Sequence, residues 1–130
     1  MNFRKIQKSI FLLLTVAPGW GLAQQKQINI VDLGAKGDGV TDNTLIIQKA
    51  IDEASASGNG KVIVPAGTFL TGVIHIKSNV EINLAEKAVW LGSAKRIDYG
   101  PKDASPLIVA QGQHNFSMTG KGTIDGNGNE

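Results

Sequence analysis

The sequence predicts an all-β chain wound as a parallel β-helix, with one α-helix laid across its N-terminal end. Three observations carry that expectation. From Lys61 onward, short apolar strands are separated by turns of glycine, asparagine and proline. The second half holds an imperfect repeat with an asparagine at one corner. Only one stretch, ending near Ala56, has the period of a good amphipathic helix.

The first 23 residues stand apart from that domain. Arg4, Lys5 and Lys8 precede an uncharged run at 10–17, which Pro18 and Gly19 break before the small-x-small triplet Gly21-Leu22-Ala23. This is the pattern of a secretory signal peptide, with cleavage expected after Ala23 and a secreted or periplasmic product. The apolar run is far shorter than the roughly 20 residues a bilayer span requires, so no stable membrane anchor is expected. Without cysteine, lipidation is excluded too. The segment carries three of the 13 Lys and Arg and none of the 11 Asp and Glu, so the mature chain holds ten basic residues against eleven acidic, net −1. The basic balance belongs to the targeting segment, and nucleic acid is not implied as a partner. Exported without disulfides, the chain must be stabilised by packing.

The domain spans residues 24–130. Residues 28–33 read as a first strand, and residues 34–39 as a tight connection shaped by Gly34, Gly37 and Gly39. Asp42 or Thr41 is positioned to cap the helix that follows. Ile47, Ala50, Ile51 and Ala54 fall at i, i+3, i+4 and i+7 and make one apolar stripe. Residues 57–60 (Ser-Gly-Asn-Gly) end it. Strands are then expected at 62–64, 73–76, 80–84 and 89–91, and, after a polar stretch at 93–105, at 107–110, 116–118 and 123–124. In the strand at 80–84, Val80, Ile82 and Leu84 alternate with Glu81 and Asn83, the mark of one buried face.

The repeat aligns Asn79 with Asn115, and Val80, Ile82 and Val89 with Phe116, Met118 and Ile124 after a one-residue gap. Asparagine tolerates the left-handed backbone of a sharp corner, and stacked copies can share hydrogen bonds. A β-sandwich is the competing architecture, but the two-residue Asn-Gly hairpins it favours do not separate these strands. A β-helix exposes apolar side chains and free strand edges at its end, and the amphipathic helix is suited to cover them.

No residue of this sequence is assigned to catalysis, to a cofactor or to a metal. Gly34, Gly37 and Gly39 do not form G-x-G-x-x-G, and Lys36 has no Walker context. Asp38 and Asp42 lack the spacing of a calcium loop. Hydrolysis of a glycosidic bond needs two facing carboxylates, about 6.5–9.5 Å apart for inversion. With Asp32, Asp38 and Asp42 placed in the cap, the candidates are Asp98, Asp103 and Asp125. Asp98 and Asp103 sit among Lys95, Arg96 and Lys102 in what reads as a solvated loop, and Asp125 reads as a turn former. His75 is expected to point outward from a strand and His114 to occupy a corner, neither with a second ligand at metal spacing. Trp90 could stack on a sugar, but packing beneath residues 93–105 is the expectation.

Several blocks together carry a family resemblance: residues 32–44, the helix, Lys61-Val62-Ile63-Val64-Pro65-Ala66-Gly67-Thr68-Phe69, Thr71-Gly72, Lys77-Ser78-Asn79-Val80 and Gly120-Lys121-Gly122-Thr123-Ile124-Asp125-Gly126. In these the chain resembles the N-terminal part of glycoside hydrolase family 28, the polygalacturonases and rhamnogalacturonases of the pectate-lyase-like superfamily. The resemblance implies a right-handed parallel β-helix and inverting, metal-free hydrolysis of galacturonosyl linkages in pectin, polygalacturonan or rhamnogalacturonan. The family's catalytic signatures are N-T-D, D-D, H-G and R-x-K. Here Asn43-Thr44 is followed by Leu45, Arg96-Ile97 by Asp98 and His114 by Asn115, and no two aspartates adjoin. The chain therefore reads as signal peptide, cap and first rungs of such an enzyme, truncated before its chemistry and inactive alone. A non-catalytic carbohydrate-binding or adhesin module and a polysaccharide lyase are the competing readings.

Overall fold

The computed structural model describes residues 25–100 and 106–127. The signal peptide assigned to residues 1–23, like Lys102 and Asp103, lies outside the described residues. Parallel pairing builds three sheets: β1 (Lys26–Asn29), β3 (Gly60–Val64), β6 (Val80–Leu84) and β9 (Phe116–Gly120); β2 (Asp38–Asp42), β4 (Gly67–Thr71), β7 (Ala88–Gly92) and β10 (Thr123–Asp125); and the short pair β5 (Ile74–His75) with β8 (Ile108–Val109). The chain visits the sheets in turn and returns one layer higher each time, as a right-handed parallel β-helix does. Among the described residues no helix is long and apolar enough to cross a membrane.

Strand alternation places the core. Val62 pairs with Ile82 and Ile82 with Met118, so inward side chains stack in columns up the coil. Phe69, Trp90 and Ile124 form the corresponding column of the second sheet. Helix α1 (Thr44–Ala56) closes the N-terminal end with Ile47, Ala50, Ile51 and Ala54, all fully buried, as the stripe predicts. At residue 60 a Cβ would lie 2.3 Å from that of Ala54, so only glycine lets the helix settle onto β3.

The corner asparagines behave as expected. Asn79 and Asn115 have φ of 64° and 58°, and Asn115 Nδ2 donates to Asn79 Oδ1 at 2.7 Å. The second half of the repeat is corrected by one residue. Val89 pairs with Thr123, and Ile124 with Trp90, because the inward position of β7 is Trp90.

The N-terminal segment also departs from expectation. The first strand stops at Asn29, whose side chain accepts from Val31 N and starts a 3-10 turn at Ile30–Leu33. Asp38–Asp42, expected as loop, joins the second sheet as β2, with an irregular register against β4. Gly67–Thr71, which falls between the strands expected at 62–64 and 73–76, is the strand β4. Its phenylalanine explains Gly37: a Cβ there would sit 2.9 Å from Phe69 Cζ. Asn43, not Asp42 or Thr41, occupies the N-cap position, and its side chain does not cap. Asp42 Oδ1 still accepts the Thr44 N–H at 2.9 Å, while the Thr41 hydroxyl turns to Asp38.

Candidate functional site

The carboxylates considered from sequence converge in part on one seam, at the carboxyl ends of β4, β7 and β10. Ser93 N donates to Thr71 O at 2.9 Å, carrying the pairing of β7 with β4 past Gly92. The chain then folds into a 3-10 turn at Arg96–Tyr99. The Tyr99 hydroxyl returns to donate to Ser93 O at 2.6 Å, and Asn127 Nδ2 donates to Gly92 O at 3.1 Å. A Cβ on Gly92 would lie 2.9 Å from both Tyr99 Oη and Gly126 O, so the segments bearing Asp98 and Asp125 meet there.

Each carboxylate on the seam has a local use. The Ser93 hydroxyl donates to Asp98, while Ser93 Oγ accepts the Lys95 N–H at 3.0 Å. Asp125 Oδ1 accepts the Asn127 N–H at 2.8 Å, the turn-forming role expected of it. At the neighbouring helix start, Asp42 holds the Thr44 N–H and hydroxyl. Burial, and then the charge of Asp98, raise the Tyr99 phenol above its ordinary value, so it stays a neutral donor. The seam ties three strand ends together.

The other candidates lie elsewhere. His75 is exposed on β5, and His114 stands at the asparagine corner, its N–H donating to Ser78 Oγ at 3.0 Å. Trp90 is fully buried inside the coil, level with Phe69 and Ile124, so it offers no face to a sugar. Its indole N–H has no partner among the described residues. No group of three His, Cys, Asp or Glu is placed to hold a metal among them.

One polar array was not anticipated. On the outer face of the first sheet, Glu81 Oε2 accepts the Thr119 hydroxyl at 2.7 Å, and Glu81 Oε1 accepts Gln25 Nε2 at 3.2 Å. Asn83 Nδ2 also donates to Thr119 Oγ1, at 3.1 Å. The Thr119 bond leads in lowering the Glu81 pKa, with Gln25 and the charge of Lys61 adding to it against a cost of desolvation. These are the polar members of the same period-two pattern that marks the core. The signal was present, but the partners required the register.

Comparison with known proteins is consistent with this arrangement. Residues 27–86 match the family model described as rhamnogalacturonase A/epimerase, pectate lyase-like. An exo-poly-alpha-D-galacturonosidase of Dickeya chrysanthemi is 40% identical over 124 residues, which cover 82% of this chain and 20% of that protein. Alginate lyase 7 of Azotobacter vinelandii is 45% identical over 115 residues, 78% of this chain and 13% of the lyase. The solved structure of a family 28 exopolygalacturonase from Yersinia enterocolitica superposes with a TM-score of 0.71 at 35% identity, over 82% of this chain and 22% of that one. The chain thus spans about a fifth or less of the length of the curated relatives it matches. In fold, in stacked rungs and in sequence, it resembles the N-terminal part of the family 28 glycoside hydrolases of the pectate-lyase-like superfamily.

Proposed function

We propose that this chain is the N-terminal scaffold of a secreted, pectin-active glycoside hydrolase, polygalacturonase-like and inverting, whose reacting carboxylates stand on further rungs. The observation that carries the reading is its likeness to family 28 exopolygalacturonases across nearly all described rungs. Local use of Asp42, Asp98 and Asp125 supports the second half of the proposal. So does the last rung, where Phe116, Met118 and Ile124 occupy inward positions yet are 41%, 36% and 44% exposed. The targeting segment supports export, with cleavage after Ala23. The substrate proposed is a galacturonan, bound along the completed β-helix.

The test is to express these residues in one chain with whatever rungs the coding sequence supplies after Glu130. Polygalacturonate should be cut to saturated products whose new reducing ends are released with inverted anomeric configuration, as followed by NMR. Products with unsaturated ends, or cleavage of alginate alone, would move the protein to the lyases. Binding without cleavage would support the adhesin reading.

A further inference from the structure

Beyond its apolar stripe, α1 carries a second stripe that reads backbone. In β5, the N–H groups on either side of His75 turn toward β8: Ile74 N donates to Leu107 O at 2.9 Å and Ile76 N to Val109 O at 2.7 Å. By the alternation of a strand, the N–H and C=O of His75 point the opposite way, where the third sheet has no further strand among the described residues. Both are taken by one side chain. Gln48 Oε1 accepts His75 N at 2.9 Å, and Gln48 Nε2 donates to His75 O at 2.9 Å. That is the donor–acceptor pair a neighbouring strand would offer.

On both sides of Gln48 the helix makes one further side-chain bond to the backbone that flanks β5. Thr44 Oγ1 accepts Gly72 N at 2.7 Å, and Ser55 Oγ donates to Ser78 O at 2.9 Å. At about 100° per residue, positions 44, 48 and 55 fall within roughly 40° on one face. From 44 to 55 the helix rises about 16 Å, and a fully extended chain would span at most roughly 20 Å over the six steps from 72 to 78. The contacts run in the same order along both. Asp52, one turn past Gln48, accepts from Gln48 Nε2 at 3.1 Å and pairs with Lys77 at 3.2 Å.

We propose that α1 is a strand surrogate at His75: Gln48 occupies both outward hydrogen-bonding groups of that residue and so ends the third sheet at β5, while Thr44 and Ser55 hold the backbone bends at Gly72 and Ser78 on either side, locking the helix in one axial register. The stop is distinct from apolar burial, which would tolerate a small slip or rotation that these contacts do not. It works independently of the enzymatic reading.

Amide hydrogen exchange on the full chain tests it. Gln48→Met keeps the length of the side chain and removes both bonds. Exchange at His75 should then rise about tenfold or more, the scale of a lost hydrogen bond, while Ile74 and Ile76, bonded to β8, keep their protection. Thr44→Val should free Gly72 in the same way and leave His75 protected. Unchanged exchange at His75 in Gln48→Met would overturn the proposal. An equal rise at Ile74, His75 and Ile76 would overturn it too, since Gln48 would then hold the whole coil together rather than seal one edge.

Discussion

Asn43 is buried where the sequence offers a helix cap, and it serves backbone instead. Its Oδ1 accepts Lys36 N at 2.9 Å, and its Nδ2 donates to Lys36 O and Thr41 O at 3.0 and 3.1 Å. One side chain therefore pins both ends of the glycine-rich stretch against the helix start. Asn43→Ala should cost about 1–3 kcal/mol for each buried group left unpaired, read as a lower denaturant midpoint. Two residues in from the same stretch, Asp38 accepts the N–H groups of Thr41 and Val40 and the Thr41 hydroxyl. Led by the Thr41 N–H, these bonds lower its pKa to about 2. Because the folded value is depressed, the stabilisation is complete above the ordinary carboxylate range and is lost as pH falls toward 2. A carbon-detected titration should place the Asp38 midpoint near 2, and Thr41→Val should move it upward. A midpoint at the ordinary value would remove Asp38 from this role. Asn43 was not legible in the sequence, because a buried asparagine and a capping one look alike until the loop at 36–41 is folded over it.

The helix and β6 were legible because each has a single burial pattern repeated over several residues. Ile47, Ala50, Ile51 and Ala54 can face only one way on a helix, as can Val80, Ile82 and Leu84 on a strand. β2 and β4 were hidden for opposite reasons. Asp38–Asp42 is mostly polar and exposed, paired along one edge only, so no alternation marks it. Gly67–Thr71 opens with a glycine directly after Pro65 and Ala66, which in sequence signals a turn, although Phe69 is among the most buried side chains. The shift that pairs Val89 with Thr123 escaped because the turn before β10 is shorter than its counterpart before β7, and only Trp90 fixes which residue points inward. The docking of α1 on β3 gives the prediction at this level. Ile51→Ala, which empties a fully buried position, should cost about 2–5 kcal/mol. Gly60→Ala should cost about 1–3 kcal/mol by overpacking, since the new methyl meets the Ala54 backbone as well as its side chain. If thermal melts show Gly60→Ala to be neutral, the close approach is wrong.

Taken together, the described rungs are closed at one end and open at the other. At the N-terminal end α1 covers the core, whereas Phe116, Met118 and Ile124 on the last rung are exposed in positions that are buried one layer below. Parallel strand edges beside apolar side chains invite association. Purified residues 24–130 should accordingly form oligomers by light scattering, and replacing these three residues with threonine should reduce them. A monodisperse wild-type monomer with a sharp, reversible melt would contradict that expectation. The same asymmetry bears on function, since among the described residues Asp98 and Asp125 on the seam, and Asp42 at the helix start beside it, are each engaged in shaping a turn or a helix start. The direct test is reducing-end release from polygalacturonate by purified residues 24–130. The account predicts none above the substrate blank, and sustained turnover that disappears on Asp98→Asn or Asp125→Asn would contradict it.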